Sequence, residues 1–196
     1  MTSNTDDSAD KGPTSGTDIE FDSSATDDLE LPETTKKTLK TSGVPRELRL
    51  PGWPGPTLFS AATDGKKLVG TWEESAPLTR SGDHEGYVIG EVRDTSGSPP
   101  VVHSMFVLRR GSGEVWLLDA KNAEDDRFVN ATLEGFLASM NAFVASFSSM
   151  VAGPAPGQVA LVESFAGLLT KLDSRALERP EHYWPGWVYA LEDLAS

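Results

Sequence analysis

Residues 114–150 read EVWLLDAKNAEDDRFVNATLEGFLASMNAFVASFSSM, and this stretch decides the fold. It joins an apolar strand, an acidic loop and an amphipathic helix in direct succession. Asn130 is the predicted N-cap of the helix, because its side chain can accept a hydrogen bond from a backbone N–H of the first turn. Apolar residues then recur at spacings of three and four, which is typical of a helix that buries one face. They are Leu133, Phe136, Leu137, Met140, Phe143, Val144, Phe147, Met150 and Val151.

Two more strands are predicted upstream of this stretch. Residues 86–92 read GYVIGEV and residues 101–109 read VVHSMFVLR. The second of them is joined to residues 114–119 by the Gly-rich residues 110–113, which favour a tight hairpin. We therefore expect these three strands to form an antiparallel meander.

Helices are predicted on both sides of the strands. Residues 31–41 carry Pro32 and Glu33 at the start and Gly43 just beyond the end, as a short helix requires. Two later helices each carry an apolar stripe. The stripes are Val159, Val162, Phe165, Leu168, Leu169 and Leu172, then Tyr183, Trp184, Trp187, Val188 and Leu191. Helices that frame strands rather than alternate with them predict the α+β class, with a mostly antiparallel central sheet.

The chain of 196 residues is long enough for one ordinary domain and a tail. Residues 1–28 hold eight acidic residues and one lysine, with isolated Ile19 and Phe21. Burial of this small apolar surface would not offset the conformational entropy lost on ordering. We therefore predict a disordered acidic tail. Residues 29–196 are then predicted to form a single α+β domain.

The formal net charge is −13, and it limits the classes of partner. Such a field repels nucleic acid and anionic membranes and attracts basic proteins. The sequence has no cysteine, no signal peptide pattern and no apolar run long enough to span a bilayer. We therefore expect a soluble cytoplasmic protein with a basic protein partner, and no direct contact with nucleic acid or membrane.

No catalytic signature is present in the sequence. His84, His103 and His182 stand far apart and form no HxxxH pair. The glycines of residues 111–113 precede a strand and lack the spacing of a phosphate-binding loop. We predict no catalytic residues, no cofactor and no metal site.

The candidate contacts for a partner are acidic clusters and one tryptophan. Clustered carboxylates favour contact with a basic protein, since no alternating pattern of calcium ligands is present. Trp53 lies in the loop sequence PGWPGP and is predicted to be exposed, whereas the other four tryptophans lie in apolar patterns typical of a core. The predicted contact residues are Trp53, Glu73, Glu74, Asp83, Glu85, Glu124, Asp125 and Asp126.

Four segments carry a resemblance to a known family. They are LPETTKKTLKTSGVPREL near the start, GYVIGE, GEVWLLDA followed by FVNATLEGFL, and LERPEHYWPGWVYALEDL at the end. Through them, residues 29–196 resemble the SUKH superfamily of bacterial immunity proteins, particularly its fourth subgroup.

The resemblance implies an α+β fold and a non-catalytic role. Such proteins bind a cognate toxin domain, often a nuclease or a nucleic-acid deaminase, and block it. An acidic surface fits this role, because a toxin that processes nucleic acid presents a basic groove. The family uses variable surfaces, so the resemblance assigns no binding residue.

Two other classes of function stay open at this point. The first is an intracellular scaffold or adaptor whose acidic tail engages the partner. The second is a small enzyme that uses carboxylates with His84 or His103, which requires these residues to converge in one concave pocket.

Overall fold

The structure, a computed structural model, describes residues 18–21, 23–53, 55–64, 67–68, 86–119, 121–152 and 157–196. These residues form five α-helices and eight β-strands. In chain order they are α1 (Ser23–Thr26), α2 (Glu33–Thr41), β1 (Glu47–Leu48), β2 (Phe59–Ala61), β3 (Thr63–Asp64), β4 (Lys67–Leu68), β5 (Gly86–Asp94), β6 (Val101–Arg109), β7 (Val115–Asp119), β8 (Arg127–Asn130), α3 (Leu133–Val151), α4 (Gln158–Leu172) and α5 (Tyr183–Leu194).

Six strands form one antiparallel sheet in the order β1-β2-β5-β6-β7-β8, and β3 pairs with β4 in a separate two-stranded sheet. The predicted α+β class and the meander of β5, β6 and β7 are confirmed. Strand β8 lies where the sequence predicted the end of an acidic loop. It has only four residues. They form a strand because they pair with β7, with Trp116 opposite Phe128.

The sheet is apolar on both faces because successive side chains of a strand point to opposite sides. Along β6, Phe106 and Leu108 belong to the main core under the helices, whereas Met105 and Val107 belong to a smaller cluster on the other face. Runs of consecutive apolar residues such as MFVL therefore mark strands buried on both sides.

Aromatic rings hold α3 against the helix-covered face of the sheet. Phe106 lies 5.1 Å from Phe136 and 5.6 Å from Phe59, measured between ring centroids. The ring of Phe59 lies directly over Gly90, where an added Cβ would come within 2.2 Å of it. The second glycine of the GYVIGE segment is therefore required by packing between β2 and β5.

The predicted N-cap of α3 is wrong. The cap is Thr132, whose Oγ1 accepts a hydrogen bond from the backbone N–H of Gly135 at 3.0 Å. Asn130 instead ends strand β8, opposite Val115, and its buried side chain accepts a hydrogen bond from Nε1 of Trp184 at 2.9 Å. Pairing with β7 keeps Asn130 extended, so the cap lies two residues after the position that local sequence favours.

The apolar stripe predicted for α4 is only half buried. Val162, Phe165 and Leu169 are buried, but Val159 is 60% exposed, and Leu168 and Leu172 are also exposed. Helix α4 packs mainly against α3 and α5, so it covers a narrower stripe than a helix lying on a flat core.

The core includes residues that precede the predicted boundary at residue 28. Phe21 is 2% exposed within the main core, and Ile19 pairs with Val44 through two backbone hydrogen bonds of 2.7 and 3.0 Å. Gly43, with φ of 66°, allows this approach, because an added Cβ would lie 2.2 Å from the carbonyl oxygen of Ile19. Two apolar residues thus suffice to attach residues 18–21, while residues 1–17 lie outside the described part of the chain.

Replacement of Asn130 tests the role of its side chain. Asn130→Ala leaves the buried Nε1–H of Trp184 without an acceptor and removes the 3.4 Å hydrogen bond from Asn130 to Asp173. We expect the free energy of unfolding to fall by about 2 kcal/mol, as for a buried donor that loses its partner. Urea denaturation at neutral pH measures the change.

Asn141→Ala is the matched control, because Asn141 is exposed on α3. A surface exchange of this kind changes stability by roughly 0.5 kcal/mol or less. Equal effects of the two variants would show that the hydrogen bond to Trp184 contributes nothing specific.

Candidate functional site

An open groove of about 400 Å³ lies on the helix side of the sheet, near the end where β5 stops and β8 starts. Strands β5 to β8 supply its floor through Val92, Ser104, Leu117 and Arg127. One wall comes from residues 50–58, of which the structure describes all but residue 54, and the other comes from the first half of α5. The residues of the two walls are Leu50, Trp53, Pro56, Thr57 and Leu58, then Tyr183, Gly186, Trp187 and Ala190.

The loop wall is anchored at both ends and presents Trp53 between them. Leu50 and Leu58 are buried in the main core. Thr57 exchanges hydrogen bonds with the backbone of Arg93, its Oγ1 accepting from the N–H at 3.1 Å. The indole of Trp53 lies against Gly55, where an added Cβ would come within 2.2 Å of Nε1. Trp53 is 48% exposed, so the predicted exposure is confirmed.

The helix wall holds two aromatic rings in fixed positions. Tyr183 is buried, and burial raises the pKa of its phenol. A hydrogen bond with Trp187 and the charge of Arg127 lower this pKa but offset only part of the rise. The phenol therefore stays neutral over the physiological range. Trp187 is half-buried, and its ring centroid lies 4.8 Å from that of Phe143. These contacts orient Trp187 without filling the groove.

The groove is apolar with a single charge in its lining. Arg127 is that charge, and it forms no ion pair or hydrogen bond with another side chain among the described residues. No carboxylate or histidine of the described residues lines the groove. This composition suits the binding of apolar groups and does not provide an acid and a base for catalysis.

The acidic turn that precedes β8 holds three of the predicted contact residues. Glu124 and Asp125 are exposed in a short 3-10 turn, and Asp125 accepts a hydrogen bond from the side chain of Asn122 at 2.9 Å. Asp126 accepts a hydrogen bond from the backbone N–H of Asp119 at 3.0 Å, which closes the turn. Glu124 and Asp125 are therefore the carboxylates of this turn that project into solvent.

Of the predicted contact residues, Trp53 lines the groove. The acidic turn does not line it but directly precedes Arg127 of its floor. The other predicted contacts, Glu73, Glu74, Asp83 and Glu85, lie outside the described residues, as does His84.

Sequence reasoning missed the helix wall of the groove. Tyr183 and Trp187 were assigned to the core because they share the apolar side of α5, and both do contact core residues. The sequence did hold one signal, Gly186, because glycine is a poor helix former inside a helix. In the structure, no heavy atom lies within 4 Å of a Cβ added at Gly186. When no neighbouring atom would clash with a Cβ at a helical glycine, the glycine can indicate a surface that is left open for a partner.

A second polar cluster, outside the groove, is structural. Glu114 binds Arg175 at 2.7 Å and lies 3.6 Å from Arg109, and the guanidinium of Arg175 sits 4.4 Å from the ring centroid of Phe128. Burial raises the pKa of Glu114, but hydrogen bonds from Arg175 and Trp116 and the charges of both arginines outweigh it, so the pKa is lowered. The cluster ties β7 to the turn after α4.

The two described histidines do not form a catalytic pocket. The ring of His182 packs 5.0 Å from that of Phe128, and its Nδ1 lies 2.9 Å from the carbonyl oxygen of Arg175. His103 lies near Asp94, an exposed carboxyl whose pKa is lowered mainly by hydrogen bonds from Ser96. Neither histidine reaches the groove.

In the part of the chain that the structure describes, no three histidine or carboxylate side chains are grouped to hold a metal ion. No helix in it is long and apolar enough to cross a membrane.

An α+β domain with an open aromatic groove is a candidate binding module. The family model of the SUKH-4 immunity protein matches residues 15–193, and the chain therefore belongs to this family. The match starts before residue 28, in agreement with the burial of Phe21. Comparisons with curated proteins and with solved structures gave no match.

The lowered pKa of Glu114 predicts a pH-dependent contribution to stability. A depressed carboxyl pKa stabilises the fold above the unfolded-state pKa, and the contribution is lost as the pH falls through the folded-state value. We expect Glu114→Gln to be less stable than the parent protein at neutral pH. The difference should shrink as the pH is lowered below about 4.

Thermal unfolding followed at several pH values between about 3 and 7 measures this difference. Glu163→Gln on α4 is the control, because Glu163 is exposed and has no recorded partner among the described residues. A destabilisation by Glu114→Gln that stays constant across this range would contradict the ion-pair explanation.

Proposed function

We propose that this protein is the immunity component of a polymorphic toxin system, which binds a cognate bacterial toxin domain in the cytoplasm and neutralises it by non-catalytic blockade. The membership of residues 15–193 in the SUKH-4 immunity protein family carries this proposal. The apolar groove supports it, because a protein that blocks another protein needs a binding surface and no catalytic groups.

The toxin is proposed to be basic, and a nuclease or a nucleic-acid deaminase is the favoured class. Enzymes that act on nucleic acid present positive charge to the phosphate backbone. A protein with a net charge of −13 is steered to such a surface and competes with nucleic acid for it without binding nucleic acid itself. Blockade then consists of covering the toxin's substrate site.

Trp53, Glu124 and Asp125 are the proposed contacts best supported by the described structure. All three side chains are exposed. Trp53 lines the groove, and Glu124 and Asp125 lie in the turn that precedes Arg127 of its floor. Asp126 acts through the turn that it closes. Glu73, Glu74, Asp83 and Glu85 stay predictions from the acidic character of their segments.

Truncation tests the alternative of a scaffold that binds through its acidic tail. Removal of residues 1–28 would also remove Phe21 from the core, so a loss of binding would not identify the tail. Truncation of residues 1–17 leaves the described part of the chain intact. Full affinity of the truncated protein for its partner would rule out binding through residues 1–17.

The proposed function is tested with a candidate toxin domain encoded next to the gene for this protein. Expression of the toxin domain alone should arrest growth, and co-expression with this protein should restore it. The purified proteins should form a complex whose affinity falls with ionic strength. Growth arrest that persists despite stable co-expression, with each candidate toxin domain, would contradict the proposal.

Charge reversal tests the acidic turn within this complex. We expect the double variant Glu124→Lys/Asp125→Lys to lower the association rate by about tenfold at low salt, and less at high salt, because exposed charges act mainly through steering. Stopped-flow mixing measures the rate. Glu163→Lys/Glu178→Lys reverses two exposed charges elsewhere and is the matched control. Equal effects of the two double variants would show that only net charge matters.

A further inference from the structure

We propose that the groove between residues 50–58 and α5 receives one apolar or aromatic side chain of the toxin, with Lys or Arg residues beside it contacting the acidic end of the sheet. This inference rests on the proposed function, since it names the chemistry by which the toxin would be recognised. It adds the location and the type of the anchoring contact.

The size and lining of the groove fit a single large apolar side chain. A volume of about 400 Å³ holds an aromatic ring together with part of the backbone that carries it. Buried aromatic or aliphatic anchors in such pockets provide much of the binding free energy in protein complexes. Trp53 and Trp187 would then contact the inserted side chain from opposite walls.

Both tryptophans are held in place before a partner arrives. The indole of Trp53 rests against Gly55, and that of Trp187 against Phe143. A pre-positioned wall loses little conformational entropy on binding, which favours affinity. The two indoles are therefore positioned to contact an inserted side chain and not to close the groove.

The charges around the groove determine the flanking chemistry of the occupant. The strand ends and the turn at the end of the sheet where the groove opens carry five carboxylates and two cations, for a net charge of −3. The carboxylates are Asp94, Asp119, Glu124, Asp125 and Asp126, and the cations are Lys121 and Arg127. A segment with basic residues on either side of its apolar anchor complements this surface.

Arg127 has a separate role in this arrangement. It lines the groove without an ion pair to any described residue. A guanidinium offers several N–H donors, so it can donate to the backbone carbonyl groups that accompany the inserted side chain. This leaves the carboxylates of the neighbouring turn to meet the basic residues.

Gly186 makes the groove testable without disturbing the core. No heavy atom lies within 4 Å of an added Cβ at this position, so a side chain there would point into open space. Gly186→Leu should fill the groove while α5 keeps its helical structure, since leucine is the better helix former. Gly167 on α4 also has nothing within 4 Å and is exposed away from the groove. Gly167→Leu is therefore the matched control.

The first experiment uses three defined peptides with blocked ends: KKGWGKK, KKGGGKK and EEGWGEE. We expect KKGWGKK to shift the NMR signals of the indole N–H groups of Trp53 and Trp187 saturably at millimolar concentrations, as suits a small part of an interface. KKGGGKK should produce no saturable shift, and EEGWGEE should bind more weakly. Gly186→Leu should weaken KKGWGKK binding by at least about tenfold, as loss of an anchoring pocket does.

Three results would each overturn the inference. The first is unchanged binding of KKGWGKK by Gly186→Leu, and the second is the absence of a shift at either indole of the parent protein. The third is tighter binding of EEGWGEE than of KKGWGKK, which would assign the groove to an acidic segment. Retained folding is checked by thermal unfolding, and Gly167→Leu should bind all three peptides like the parent protein.

The toxin complex separates this inference from the function on which it rests. If the parent protein and Gly167→Leu neutralise the toxin but Gly186→Leu does not, both stand. If Gly186→Leu neutralises it fully, the function stands and the groove is not the anchoring site. If the parent protein neutralises no toxin although it binds KKGWGKK, the proposed function fails while the peptide chemistry of the groove is retained.

Discussion

The hydrogen bond between Asn130 and Trp184 is the constraint on which the rest of this structure depends. It joins the last strand of the sheet to the first turn of the last helix, with both partners buried. The indole of Trp184 also packs against Phe143 of α3 and Phe165 of α4, with ring centroids 6.0 Å away in each case. One side chain thereby determines where three helices meet the edge strand.

Asp173 extends this constraint to the turn after α4. Its carboxylate accepts hydrogen bonds from the backbone N–H of Ala131 at 2.6 Å and from that of Arg175 at 3.0 Å. Arg175 in turn binds Glu114, the residue before β7. Asn130 and Trp184 are buried and Asp173 is partly buried, so another arrangement of these elements would leave polar groups unsatisfied away from water.

The groove is a consequence of this arrangement. With α5 held by Trp184, the neighbouring Tyr183 and Trp187 form a wall over the end of the sheet, and the anchored loop of residues 50–58 forms the other. The two walls stand apart, so apolar surface stays open to solvent between them. Open apolar surface rimmed by charge is typical of sites that are covered by a partner.

The sequence by itself determined the class, the three central strands, α3 and the exposure of Trp53, because alternating and helical apolar patterns and a Pro/Gly-rich loop are local signals. Only the tertiary structure decided that Asn130 ends a strand, that Val159 and Leu168 are left exposed, and that Phe21 is buried. Each of these depends on which element packs alongside, and a local pattern does not encode the neighbour. The same holds for the groove: Trp53 and Trp187 are distant in sequence, and only the packing of α5 through Trp184 brings them to opposite sides of one opening.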